Sequence, residues 1–92
     1  MHFGPIITSA PALDEYGRFS WHLSVYHPHV PPQASPHAHV YGDGTILYHG
    51  PPAPLELRTM ALALSEFYVA DRLHFGGANL RKQYDALTRL PR

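Results

Sequence analysis

The chain has no cysteine. That removes disulfides, thiolate catalysis and Cys-based zinc sites together, and it is compatible with any compartment. Charge is scarce as well: charged residues make up 15% of the sequence, where an average domain carries about a quarter. Seven basic and seven acidic side chains cancel, so no global field draws the molecule to nucleic acid or a membrane surface. Such a thin charge complement fits a surface partly covered by a partner. No stretch approaches the roughly 20 apolar residues that span a bilayer, and no basic segment followed by a long apolar run opens the chain. The expectation is a cytoplasmic protein with no membrane attachment. There is no serine elbow, no Gly-rich phosphate loop ahead of a helix and no close carboxylate pair, which weighs against hydrolytic or nucleophilic catalysis.

What the chain does have is a 45% apolar content over 92 residues, enough for one hydrophobic core and one domain, 1–92. It also has eight histidines. Each has an unperturbed pKa of about 6.5, so acidification to roughly pH 5 turns a neutral chain strongly cationic.

The first half reads as strands and the second as helix. Phe3 to Thr8 is a short apolar run in which Pro5 favours an edge strand, and "APALDEYG" supplies turn chemistry after it. "RFSWHLSVY" alternates cleanly, with Phe19, Trp21, Leu23 and Val25 on one side and Ser20, His22, Ser24 and Tyr26 on the other. Prolines 28, 31, 32 and 36 make residues 27–36 an extended loop. "HAHVYGDGTILYH" predicts a hairpin around Asp43-Gly44. A two-residue loop there pairs Tyr41 with Ile46 and His39 with Tyr48, placing His37, His39, Tyr41, Ile46 and Tyr48 on one face and Ala38, Val40, Leu47 and His49 on the other; a slip of one residue rearranges these faces.

Pro54 opens a helix from about Leu55 to Leu73. Leu57, Met60, Ala61, Leu64, Phe67 and Tyr68 form its broad apolar face, expected against the Trp21 side of the sheet. Gly76 and Gly77 stop it, Asn79 is placed to cap the next helix, and Leu80 to Leu90 forms a short basic helix with Leu80, Tyr84 and Leu87 inward. The expected fold is α+β: a three- or four-stranded antiparallel sheet packed on one long helix, with a short C-terminal helix.

Two features suggest function. The first is "HPHVPPQASPHAHV", two His-x-His pairs around a proline-rich gap. In each pair both imidazoles lie on the same side of an extended segment, so His27, His29, His37 and His39 supply a tetrahedral ligand set for zinc, with His22 or His49 as substitutes. The competing account is that these are half-buried strand and loop histidines with no metal. The second is a narrow stripe on the long helix, Leu55, Leu62, Val69 and Leu73, which the sheet does not need. It is either covered as core by the N-terminal strand or C-terminal helix, or it is a docking surface for a second copy or another protein. An RNA-acting enzyme is a third class, with His37 or His39 as general base beside Tyr41 or Tyr48, and Arg58 or Arg81 on the phosphate. The neutral surface offers little electrostatic capture of nucleic acid.

"SPHAHVYGDG", preceded by "WHLSVY" and followed by a long helix, resembles a small bacterial domain family marked by a Pro-Pro-His-x-His-Val motif after an aromatic strand. That family occurs near toxin-antitoxin-like gene pairs. Here Ser35 replaces the first proline, the loop is longer and the family's closing tryptophan-containing helix motif is missing. "HVYGDGTILYHG" is also similar to the His-bearing hairpin of HicA-type mRNA interferase toxins, whose preceding helix this chain lacks. Neither similarity transfers a catalytic residue. The reading that emerges is a small non-catalytic protein–protein interaction module, an inhibitor or regulator of the kind a phage or other mobile element encodes, with no cofactor. A histidine-cluster metal protein and a toxin-like nuclease are the alternatives.

Overall fold

A computed structural model describes residues 4–89. Four strands, β1 Ile7–Leu13, β2 Phe19–Val25, β3 His37–Tyr41 and β4 Ile46–His49, form an antiparallel meander in chain order. Helices α1, Leu55–Phe75, and α2, Ala78–Thr88, follow, and a 3-10 turn at Pro32–Ala34 interrupts the β2–β3 loop. The α+β architecture expected from the sequence is the one formed. No helix among the described residues is long and apolar enough to cross a membrane.

The core lies between β2–β3 and α1. Period-two alternation puts Phe19, Leu23 and Val25 inside, with Trp21 partly covered beside them. The β2–β3 register sets Val40 across from Trp21 and Ala38 across from Leu23, so the same side of the sheet continues into β3. Leu57, Ala61 and Tyr68 of α1 close the core and are fully buried. Its polar centre is one hydrogen-bonded chain: Trp21 Nε1 donates to the Tyr68 hydroxyl, which donates to Gln83 Oε1 of α2. Sheet and both helices are thereby joined through a buried phenol whose polar atom is satisfied. Phe19 meets the Trp21 and Tyr68 rings edge-on at 6.1 and 6.3 Å, a favoured aromatic geometry.

The first strand runs Ile7–Leu13, further along the chain than the expected Phe3 to Thr8; Phe3 itself is outside the described residues. Pro11 is tolerated because of where it falls. Tyr26 N–H donates to Ile6 O, and Asp14 N–H donates to Arg18 O. These bonds put the even-numbered residues of β1 in the hydrogen-bonded positions toward β2 and turn Pro11 to the free edge, where a missing N–H breaks nothing. The turn contracts to Asp14–Arg18, where Asp14 Oδ1 accepts from the amides of Tyr16 and Arg18 at 2.9 and 2.8 Å.

The hairpin register is displaced by one residue from the two-residue-loop expectation. Val40 pairs with Ile46, His39 with Leu47, Ala38 with Tyr48 and His37 with His49. The loop has three residues, Gly42-Asp43-Gly44. Tyr41 O accepts from Gly44 N–H at 3.0 Å and Thr45 O accepts from Tyr41 N–H at 2.8 Å. Gly44 sits at φ +92°, the left-handed position that a type I turn with a bulge requires of its third residue. Gly42 is buried beneath α2, where a Cβ would collide with Leu80.

α1 begins where expected and ends at Gly76, whose φ of 58° is that of a glycine helix stop. Its inner face is narrower than the periodicity suggests. Met60 and Phe67 are 38% and 45% exposed; the helix packs chiefly on β3, with β2 and β4 beside it. α2 starts two residues early, and Tyr84 is 39% exposed rather than inward. Asn79 does not cap it. Asp71, buried in the last turns of α1, accepts from the amides of Asn79 and Leu80, both at 3.1 Å, and from Asn79 Nδ2 at 2.9 Å. Burial pushes the Asp71 pKa up, but those donors and the charge of Arg81 outweigh it and hold the carboxyl below its usual range.

The two leucine sets of α1 therefore respond differently to truncation. Leu57→Ala, at a position with no exposure, costs about 2–5 kcal/mol of unfolding free energy. Leu55→Ala, at 65% exposure, stays within about 0.5 kcal/mol of the parent in the monomer. Urea denaturation followed by circular dichroism separates them, and equal losses would contradict the packing.

Candidate functional site

The side of the sheet away from α1 carries the densest chemistry. The registers align Ala10, His22, His39 and Leu47 in one row across the four strands, and Thr8, Ser24, His37 and His49 in the next. The one-residue shift of the hairpin brings His49 into this array. Four imidazoles result in a closed ring of contacts: His22–His39 at 4.7 Å between centroids, His39–His49 at 5.7 Å, His49–His37 at 5.3 Å and His37–His22 at 5.6 Å. The His22–His39 and His37–His49 pairs are stacked. Tyr41 continues the face, 6.3 Å from the His39 ring.

Beneath the rings lie two buried serines, Ser20 and Ser24. Ser20 Oγ is 3.3 Å from His39 Nδ1. His37 Nδ1 is 2.8 Å from the backbone carbonyl of Ser35; a carbonyl only accepts, so Nδ1 carries a proton, and in the neutral ring that leaves the lone pair on Nε2. The pKa values of His22 and His39 are lowered, first by burial and then by the neighbouring histidines. The charge of Asp14 pulls His39 weakly the other way. The rest of this face on β1 and β2 is alanine, serine and threonine, so it offers no carboxylate to balance four imidazolium charges. Among the described residues no three ligating groups already converge on a shared centre.

Of the sequence-based ligand set, His37 and His39 stand together in this ring. His27 and His29 sit in the exposed loop after β2, where His27 lines a shallow groove shared with His22 and Ser24. His22 and His49, read from the sequence only as substitutes, complete the ring.

The helical stripe lies on the opposite side of the molecule. Leu55, Leu62, Val69 and Leu73 are 65%, 54%, 41% and 75% exposed. Among the described residues none of the four is buried, and the hairpin loop approaches Val69 at Gly44. There Ser65 Oγ donates to Gly44 O at 2.5 Å and fixes the loop to the helix flank. A third feature is a cleft of about 780 Å³ between the hairpin and the α1–α2 corner, where Tyr41, Arg18, Arg72 and Arg81 meet Leu80 and Tyr84. Of the groups weighed for phosphate chemistry, Tyr41 and Arg81 share this cleft, Tyr48 is on the helix side of the sheet, and Arg58 is exposed on α1.

Comparison with known proteins returns no matching family, no matching curated protein and no matching solved structure.

The lowered pKa values of His22 and His39 give stability a definite pH dependence. A histidine whose folded pKa lies below its unfolded value of 6.5 contributes fully above that value and loses its contribution as the pH falls through the folded pKa. With chelator present, the melting temperature falls as the pH drops below about 6.5, and a His22→Gln/His39→Gln variant flattens the curve. A parent curve flat from pH 7.5 to 5 would contradict a face of unpaired imidazoles.

Proposed function

We propose that this chain is a small non-catalytic interaction module that docks a protein partner along the outer ridge of α1. The observation that carries the reading is the exposure of Leu55, Leu62, Val69 and Leu73 on the side of α1 away from the sheet. Thr59 and Glu66 complete their line, so contacts alternate at spacings of four and three residues, the period of a helix–helix seam. At a rise of 1.5 Å per residue the seam is about 27 Å long. A ridge of that length and composition is more apolar than scattered surface leucines account for.

The occupant that this spacing fits is a second apolar helix. Another copy of α1 is the first candidate, because a chain of zero net charge meets no overall repulsion from its own copy. The sparse surface charge supports the same reading. In this account the protein acts by occupying its partner, as an inhibitor or regulator does, and the small hydrophobic core serves to hold the ridge in place.

Leu62→Glu tests the proposal. Light scattering coupled to gel filtration gives the parent a mass above one chain at micromolar concentration, and the variant the mass of one chain. The variant melts as the parent monomer does, within about 0.5 kcal/mol. A parent that stays monomeric to high concentration, with partner capture unchanged by Leu62→Glu, would overturn the docking role of the ridge.

A further inference from the structure

The histidine ring on the open face of the sheet is independent of the α1 ridge, and its geometry carries a specific chemistry. We propose that His22, His37, His39 and His49 together form a binding site for one divalent late transition ion, Zn²⁺ or Cu²⁺, held by imidazole nitrogens alone.

The spacing is the first support. With metal–nitrogen bonds of 2.0–2.1 Å, imidazoles sharing one ion hold their ring centres about 5 Å apart. The four neighbouring separations here are 4.7, 5.3, 5.6 and 5.7 Å. They come from backbone register, since directly paired residues on adjacent strands carry their Cβ atoms about 5 Å apart. As they stand the rings hold no group of three or more ligands on one ion, and loading turns the stacked rings about their side-chain torsions until their nitrogens point inward. His22, His37 and His39 are partly exposed and His49 is exposed, so the rings have room to do so.

Proton chemistry is the second support. The Ser35 carbonyl holds His37 in the tautomer whose Nε2 is a ligand, the arrangement by which outer-shell acceptors orient metal-bound histidines. Ser20 Oγ is placed to do the same for His39. The choice of ion follows from the donors. Imidazole without carboxylate selects zinc, copper and nickel over magnesium and calcium, and the general affinity order of divalent ions ranks copper first.

The experiment uses tag-free full-length chain stripped with chelator, titrated calorimetrically with ZnCl₂, CuCl₂ and, as control, MgCl₂. The expected result is one Zn²⁺ or Cu²⁺ per chain, a raised melting temperature on loading, and no response to Mg²⁺. His39→Ala weakens binding by at least about tenfold. His49→Ala, at the exposed edge of the sheet, does the same in a background where folding is not at risk, and His29→Ala leaves affinity unchanged. Absence of binding at millimolar metal, or affinity lost on His29→Ala and retained in His49→Ala, would overturn the site.

Discussion

The arrangement of both faces of this sheet depends on the conformation of three residues, Gly42-Asp43-Gly44. A positive φ at Gly44 makes the hairpin loop three residues long, and every pairing of β3 with β4 follows from that length. Because side chains alternate with a period of two, one residue more or less exchanges the faces of a strand entirely. With this loop, Ile46 turns toward the core beside Val40, and His49 turns outward beside His37. With a two-residue loop, Leu47 and His49 would lie on the helix side and the imidazole ring would be broken. The loop is itself held from outside. Ser65 of α1 donates to Gly44 O, and Leu80 of α2 lies against Gly42. The helices thus help to set the register of the hairpin they pack against.

The core that results is small for the number of large apolar residues in the chain. Among the described residues seven buried side chains form it, with the Trp21–Tyr68–Gln83 hydrogen bonds as a polar rivet between sheet and helices. What the core leaves outside falls into two separate regions. One is an apolar ridge along the outer side of α1, and the other is a histidine face on the far side of the sheet. They are separated by the whole thickness of the domain, so a partner on the ridge and an ion on the histidine face have no direct steric conflict.

Much of this was legible in the sequence. The alternation of "RFSWHLSV" defined β2 and its inner side, the prolines defined the loop after it, and Pro54 with Gly76 bounded α1 almost to the residue. The hairpin register was not legible, because "GDG" accommodates loops of two or three residues and the flanking segments alternate equally well in either frame. Nor was the capping of α2: Asp71 acts on amides eight and nine residues further on, across the turn at Gly76-Gly77, and Asn79 had the better local signature. Met60 and Phe67 satisfy the helical period yet remain exposed, because periodicity does not report how wide a strip of the helix the sheet covers. The histidines show the same pattern. His-x-His spacing correctly put His37 and His39 side by side, while the strand neighbours that complete their ring come from residues 22 and 49, known only through pairing.

The most direct measurement of this account is the strand register in solution. In an antiparallel pair the residues outside the hydrogen-bonded positions bring their α-carbons within about 4.5 Å, close enough for strong Hα–Hα cross-peaks in nuclear Overhauser spectra. Those cross-peaks are expected between Ala38 and Tyr48 and between Val40 and Ile46. Cross-peaks linking His39 to Tyr48 and Tyr41 to Ile46 would instead establish a two-residue loop, move His49 to the helix side and break the ring of four imidazoles, leaving His22, His37 and His39 on the open face.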